Sequence, residues 1–567
     1  MYLRKTQRKN KDGSIVEYYA LAHNERHPET GKPVAHIIHS FGRADQLDRD
    51  HLVRLCQSIA RVCGLQVLDP LPNKDDDEIH SALGLPKELK LIRSLTLGTV
   101  WVIEALWERL GIGKLFNDIC KTQKVKVPYE RALLAMVANR LCEPESKLGV
   151  WDRWLEKVYM PSCGSLKREN MYEAMDLFYE HASELEEHIF FETANLFNLQ
   201  VDLIFYDTTT ASFSIDYEDE ADTEGAFRKF GRAKEGTWGP QVVVALAVTR
   251  EGLPVRSWVF PGNTSDVDTV EKVRSDLRGW NLNRAIFVAD AGMNSEDNRE
   301  KLSRACGKYL LATRMAKIKE IKQEVLTKRG PYKAIKDNLH AKEVIVGEGE
   351  RRRRYILCYN PNEAKRQKHH REQKVKFLEE ELERHPHRQA NAQWAIELLA
   401  SSRYKRYLTI TKSNKIRIDR RSIREAESYD GKWVLQTNDD TISVEDAACG
   451  YKGLMIIERC FRSLKRTQIK MTPMFHWAPR RIETHVKICI LALLIERIAE
   501  IRCAETWGRI RRKLEALKIL ELITPEYRFF QRTEIPAETR NILKMLDVST
   551  PKRVVELKKR QKSPLKS

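Results

Sequence analysis

Apolar positions along the chain change period several times, and the changes divide it. The first 45 residues run in short strand-like stretches: Lys11-Asp12-Gly13 is a turn signal ahead of a strand from Ser14 to Leu21, and Pro33 to Ser40 is another. Leu47 to Cys63 carries helical spacing, and the segment Asn73-Lys74-Asp75-Asp76-Asp77-Glu78 is an acidic linker. These signals predict a small strand-rich domain over 1–70 and a linker over 71–90. From 91 to 197 apolar residues recur at steps of three and four, which predicts helices at Thr99–Leu110, Tyr129–Leu141 and Glu169–Phe191.

Strand periods begin after Gln200. Val201–Phe213, Pro240–Val248 and Pro254–Phe260 read as three strands, the last two joined by the turn Glu251-Gly252. Gly262-Asn263-Thr264-Ser265-Asp266 breaks the sheet and caps a helix to about Trp280. A strand at Ala285–Ala289, a helix capped by Asn294 or Ser295 and ending near Cys306, and a strand at Lys308–Thr313 follow. A hairpin meander with two parallel additions through helices is the order of a ribonuclease H-like core, β-β-β-α-β-α-β-α once the helix Val444 to about Arg466 closes it. The core so read spans 198–315 and 441–504. A structureless connection of the intervening length is implausible in a compact domain. Residues 316–440 instead carry helical patterns near Arg371–Glu383 and Ala390–Ser401 and strands at Tyr407–Lys412 and Trp433–Gln436, so they read as an inserted basic domain. Residues 505–567 form a basic C-terminal region.

Charge narrows the partner. Of the 567 residues, 99 are Lys or Arg and 80 Asp or Glu, a formal net charge of +19 that points to a polyanion. A bilayer is a poor candidate, because the longest strongly apolar run, Ile488 to Ile495, is far short of the roughly 20 residues needed to span one. The start, Met1-Tyr2-Leu3-Arg4-Lys5, lacks the apolar stretch of a signal peptide. The 11 cysteines contain no C-x-x-C pair and are odd in number, which suits a reducing compartment. No Gly-rich nucleotide loop is present, so ATP dependence is not expected. Two stretches are dense in cations: Arg351-Arg352-Arg353-Arg354 opens a run to Lys376 with ten Lys or Arg against two Glu, and Pro551–Ser567 has seven against one with no apolar period. Both fit phosphate tracking, or for the tail a frayed terminus. Trp238 and Trp477 could stack on bases, although Trp477 is expected in the core.

Three carboxylates stand where burial makes them costly. Asp207 interrupts the continuous apolar run Leu203–Phe213, Asp290 ends the strand Ala285–Ala289, and Glu458 lies on the closing helix off its Leu454, Ile457, Phe461, Leu464 stripe. Taken singly, each has a structural explanation: a turn at a strand end for the two aspartates, a solvated face with an Arg462 pair for Glu458. In a ribonuclease H-like core they converge at one sheet edge, and three adjacent carboxylates cannot all stay ionised without cations. Two Mg²⁺ or Mn²⁺ ions about 4 Å apart would resolve that and clamp an in-line phosphoryl displacement.

With those residues in view, the chain resembles the DDE transposases of bacterial insertion sequences, in the IS4-like superfamily and its IS1634-type branch. The matching stretches are Tyr206-Asp207-Thr208-Thr209, Phe260-Pro261-Gly262-Asn263-Thr264-Ser265-Asp266, Val288-Ala289-Asp290-Ala291-Gly292 and Tyr451 to Lys465. The last fits the signature Y-x2-R-x3-E-x6-K at Tyr451, Glu458 and Lys465 but has Leu454 in place of its Arg. The resemblance implies that Asp207, Asp290 and Glu458 are the catalytic, metal-binding triad and that Tyr451 and Lys465 contact DNA phosphates. Arg459 or Arg462 would stand in for the missing Arg. It implies metal-dependent cleavage of double-stranded DNA at element ends and strand transfer into target DNA. The helical region 91–197 is the expected end-reading domain, and two ends held together imply a homodimer on DNA, in a bacterial or archaeal cytoplasm beside the nucleoid. The alternatives are a nuclease that cuts without joining and a non-catalytic DNA-binding regulator.

Overall fold

The computed structural model describes residues 2–9, 15–26, 33–44, 47, 56, 89–199, 201–220, 225–282 and 284–559. Two compact units divide the chain, Met1–Leu89 and Lys90–Ser567. In the first, β1 (Tyr2–Lys9), β2 (Ile15–Arg26) and β3 (Pro33–Arg43) form an antiparallel sheet, with Tyr2 opposite Ala22 and Arg26 opposite Pro33. The helix expected over Leu47–Cys63 and the linker over 71–90 fall almost wholly outside the described residues.

In the second unit, β4 (Lys90–Thr96) leads into α1 (Gly98–Arg109), α2 (Ile112–Thr122) and α3 (Tyr129–Cys142). The helix expected over Glu169–Phe191 is two: α4 (Arg168–Glu180) and α5 (Ala182–Phe197). His181 separates them, closing α4 through its backbone N–H at φ −112° and ψ 11°, so each helix can turn its own apolar stripe to the core. β4 pairs with β17 (Lys518–Ile523), which pairs with β18 (Tyr527–Arg532) and then β19 (Val554–Lys559). Between them run α14 (Trp507–Leu514) and α15 (Ala537–Met545). The tail therefore begins as an edge strand held by backbone pairing, and the sequence hid it because Leu557 remains 61% exposed.

The large sheet carries the chemistry. Its middle is the chain order β5 (Leu203–Ser212), β6 (Lys229–Arg232), β7 (Trp238–Thr249), β8 (Pro254–Pro261), α6 (Asp266–Gly279), β9 (Ile286–Ala289), α7 (Glu296–Ser303) and β10 (Lys308–Ala312). β7 is antiparallel to β5, β6 and β8, whereas β9 runs parallel to both β5 and β10. Every residue of β7 from Pro240 to Thr249 is buried, as a strand covered on both faces requires.

The stretch 316–440 extends this same sheet and adds a separate two-stranded one. β11 (Lys333–Lys336), β12 (Leu339–Val346) and β13 (Arg353–Tyr359) reach β10 through β16 (Lys432–Thr437). Between β13 and β16, α8 (Pro361–Arg384), α9 (Gln393–Ala400), β14 (Leu408–Ile410), β15 (Ile416–Ile418) and α10 (Arg420–Glu427) enclose a small core of their own, built on Leu378, Leu382, Tyr407 and Ile416.

The closing helix is also broken. α11 (Val444–Lys452) and α12 (Met455–Arg462) flank Gly453, and a wider turn follows at Ser463–Thr467. A Cβ on Gly453 would run into the Phe205 ring, and one on Gly450 would press on Leu203, so both glycines let the helix backbone settle on β5.

α13 (Pro479–Cys503) is buried along nearly its whole length. Its Glu496 accepts the Ser463 hydroxyl at 2.7 and 2.6 Å, and burial pushes the carboxyl from 4.5 up to about 7. The folded state thus holds a proton that the unfolded chain releases, and the stability this contributes is lost as pH rises from 4.5 through 7. Glu496→Gln should raise stability at pH 8 by about 2 kcal/mol and leave it nearly unchanged at pH 4. Unfolding midpoints at the two pH values test this; equal gains at both would show that the carboxylate is not the cause.

Candidate active site

β5 and β9 place the two aspartates together. Their parallel register pairs Leu203 with Ile286 and Phe205 with Val288. Two residues further on each strand come Asp207 and Asp290, at the same level and on the same face, as the two-residue period of strands demands. Neighbouring strands are about 4.8 Å apart, so Asp207, midway along β5, stands beside Asp290 at the carboxyl end of β9, the edge where open α/β sheets bind ligands.

Asp207 is the one residue among the first nine of β5 that is not fully buried. Burial holds its carboxyl above the usual carboxylate range, opposed by the Lys234 ammonium and by the Thr208 N–H, while Asp266 pushes it further up. Lys234 Nζ lies 3.3 Å from Asp207 Oδ1 and 3.9 Å from Asp266 Oδ2. Asp266, the first residue of α6, accepts the Thr208 hydroxyl. Asp290 is exposed and accepts the Ala291 N–H at 2.6 Å and the Tyr451 hydroxyl at 3.2 Å.

Tyr451 hydrogen-bonds Asp290 and lies within electrostatic reach of Asp207 and Glu458. Burial, then the charge and hydrogen bond of Asp290, then the charges of Asp207 and Glu458 hold its phenol well above the usual tyrosine range. All three acids therefore act on one hydroxyl. Glu458 itself is exposed on α12, whose Ile457, Cys460 and Phe461 face the core. The helix break at Gly453 gives Tyr451 and Glu458 separate helices, so they do not share the continuous stripe that their spacing suggests. Among the described residues, no three His, Cys, Asp or Glu side chains are close enough to hold one ion.

Lys465 is held inside the site: its ammonium pairs with Glu235, lies 3.4 Å from the Thr209 hydroxyl, and its side chain is 10% exposed. Burial opposes ionisation of Glu235, but the Lys465 bond and charge keep it below the usual range. Arg459 and Arg462 are exposed on α12, and Leu454 is its N-terminal cap residue. Lys234, Glu235 and Asp266 escaped the sequence reading. Asp266 had a signal, since it ends the Gly262–Asp266 break, but it read as a helix cap alone; nothing in the sequence marks Lys234.

A family profile for the transposase DDE domain matches residues 208–495, just over half of the chain, beginning next to Asp207. A second, for the N-terminal domain of IS1634 family transposases, matches residues 3–69. The chain belongs to the IS1634-type DDE transposases. No curated protein matches its sequence closely. The cryo-EM structure of a piggyBac transposase synaptic complex with hairpin DNA is similar over 69% of this chain and 71% of that one, at 10% identity and a TM-score of 0.35. The transposase cleaves DNA and transfers strands, and DNA is its partner. Among its described residues no helix is long and apolar enough to cross a membrane.

The four consecutive arginines of the transposase differ in role. Arg354 is buried, pairing with Glu343 at 2.6 Å and donating to the carbonyls of Asp439 and Ile442. Arg353 pairs with Glu320 at 2.6 Å, and Arg352 with Asp440 at 2.9 Å. Arg351 and Arg352 are exposed. Both sequence-flagged tryptophans are on the surface, Trp238 at 70% and Trp477 at 55% exposure. Trp477 is therefore not core, although the Arg228 guanidinium 5.0 Å from its ring centre and Tyr217 pack against it.

Proposed function

We propose that the transposase cuts and joins DNA at Asp207, Asp290 and Glu458 on a ribonuclease H-like core. The observation that carries this is the pair Asp207 and Asp290 on adjacent parallel strands, with the Tyr451 hydroxyl bound to one and felt by all three acids. The donor set fits divalent cations: it is carboxylate oxygen throughout, which suits Mg²⁺ or Mn²⁺ over softer metals. The Lys234 ammonium between Asp207 and Asp266 supports the same point, since this cradle already takes a cation. Two ions held by the three carboxylates would supply an activated water and stabilise the leaving oxygen. The chain's own groups orient and balance the site: Tyr451 fixes the Asp290 carboxylate, Lys465 and Glu235 neutralise each other beside Thr209, and Arg459 and Arg462 present exposed cations to DNA phosphates.

In this reading α1 to α5 recognise the element end, the stretch 316–440 tracks backbone, and a homodimer holds two ends. A duplex ending in the element's terminal repeat with a free 3′-OH, incubated with supercoiled target and Mg²⁺, should yield joined product. Cleavage of an uncut end without any joined product would make the protein a nuclease, and neither activity would make it a DNA-binding regulator.

The arginine run gives a finer prediction. Arg351→Gln with Arg352→Gln should flatten the slope of log affinity against log salt by about 0.9 for each phosphate no longer neutralised, equally on cognate and random duplex. Arg354→Gln should instead lower the unfolding midpoint, because it leaves buried carbonyls without a donor. An unchanged salt slope in the double variant would make the exposed pair an ordinary solvated face.

A further inference from the structure

A cavity of about 530 Å³ opens beside the loop that joins the Ser463–Thr467 turn to α13 and takes no part in the chemistry above. Its floor is cationic and closed to solvent: Arg140, Lys147 and His485 are 5%, 4% and 6% exposed. His485 Nε2 lies 3.1 Å from the Met471 carbonyl and so carries the proton, which makes Nδ1 the acceptor for Lys147 Nζ at 2.7 Å. Arg140 donates to backbone carbonyls, those of Ile469 and Lys470 at 3.5 and 3.3 Å among them. Among the described residues no carboxylate forms an ion pair with either cation. Glu145 on the wall pairs with Arg153 at 2.7 Å, and Arg481 with Asp176 at 2.7 Å.

A buried cation without a counter-charge is costly, and burial together with the Arg140 charge holds Lys147 down to about 7. An anion in the cavity removes that cost. The mouth differs in kind: Phe475 is 67% exposed and Trp477 55%, with the Arg228 guanidinium and Tyr217 packed against part of the Trp477 ring. Cations below and rings above are complementary to a phosphate bearing a planar base. The volume is that of a small-ligand site and excludes a duplex. The cavity is also tied to the active site. Six residues beyond Asp207, Phe213 bridges Met474, about 20 Å along the strand direction.

We propose that this cavity binds one unpaired DNA nucleotide, with its phosphate on Lys147 and Arg140 and its base against Phe475 and Trp477. The proposal assumes only that the transposase handles DNA, and it is independent of the carboxylate assignments. The test measures binding of full-length protein to a labelled single-stranded oligonucleotide and to a closed duplex hairpin, by fluorescence anisotropy. Lys147→Met should weaken single-strand binding at least tenfold and Phe475→Ser at least threefold, with duplex binding within twofold of wild type. Inorganic phosphate, titrated against the wild type and Lys147→Met, distinguishes a phosphate site from a nucleotide site. If phosphate raises the melting temperature of the wild type alone while both variants bind single strands normally, the cavity holds a small anion and the nucleotide proposal fails. Equal losses on single strand and duplex also overturn it. Should Lys147→Met not fold, the surface variant Phe475→Ser decides: unchanged single-strand affinity refutes the proposal. End cleavage of the duplex, measured alongside, reports on the carboxylates separately.

Discussion

Asp290→Asn should lower cleavage of the element end at least a hundredfold while leaving duplex binding intact. The side chain is exposed at the end of β9, and its two hydrogen bonds come from the Ala291 N–H and the Tyr451 hydroxyl. A carboxamide oxygen accepts both, so neither the strand end nor the Tyr451 rotamer loses a partner, and the volume barely changes. What disappears is one negative charge beside Asp207. If that charge holds a metal, its loss removes several kcal/mol of transition-state stabilisation, and a hundredfold is only about 2.7 kcal/mol. The measurement is single-turnover cleavage of a labelled end in Mg²⁺, with the melting temperature as a control on folding. Cleavage near the wild-type rate would remove Asp290 from the catalytic group and with it the triad. Tyr451→Phe, which deletes the donor and keeps the ring, should fall between the two, since the Asp290 side chain remains but is less well oriented.

How much of this site could be read from the chain depends on what held each residue in place. Asp207 and Asp290 stand out in the sequence only as a group, since each alone reads as a strand-end turn residue and it is the order of strands in the fold that sets them side by side. Glu458 was legible only as one member of a seven-residue spacing, and the structure reaches its position differently, through a helix interrupted at Gly453. That interruption is set by contact with Phe205, some 250 residues earlier, so no local pattern reports it. Lys234 and Glu235 act through charge across loops, and nothing in their own neighbourhoods distinguishes them from surface residues, while Asp266 is marked only by the break that it ends. The arginine run conceals its partners for a related reason. Density of cations in sequence says nothing about Glu343, Glu320 and Asp440, which meet three of the four from other strands and loops. Period and turns mark β5, β7, β8, β9 and β10 of the core but not the short β6. Nor do they mark β11 to β13, although Arg354 to Cys358 of β13 are buried between β12 and β16.

Gly262→Ala should destabilise the transposase by about 3 kcal/mol and depress end cleavage at least tenfold, although the residue touches no carboxylate of the triad. The glycine follows β8 and its backbone is wedged between two strands. Its N–H donates to the Phe227 carbonyl at 3.0 Å, and its own carbonyl accepts from Gln241 Nε2 at 2.8 Å. A Cβ built there would collide with the backbone carbonyls of Gln241 and Lys229, one on each side. Neither is the end of a flexible side chain, so the only relief is to part β6 from β7. Those two strands flank the loop that carries Lys234, and four residues past Gly262 is Asp266, which binds Thr208 next to Asp207. Moving the turn therefore moves Lys234, which offsets the Asp207 charge, and Asp266, which opposes its ionisation. Asn263→Ala, at the exposed next position, is the matched control and should change neither quantity. Urea unfolding and cleavage assayed well below the melting transition separate the two effects. A Gly262→Ala protein with the wild-type midpoint would show that the strands open at no cost. A lowered midpoint with wild-type cleavage would mean that the loop bearing Lys234 has no hold on the active site.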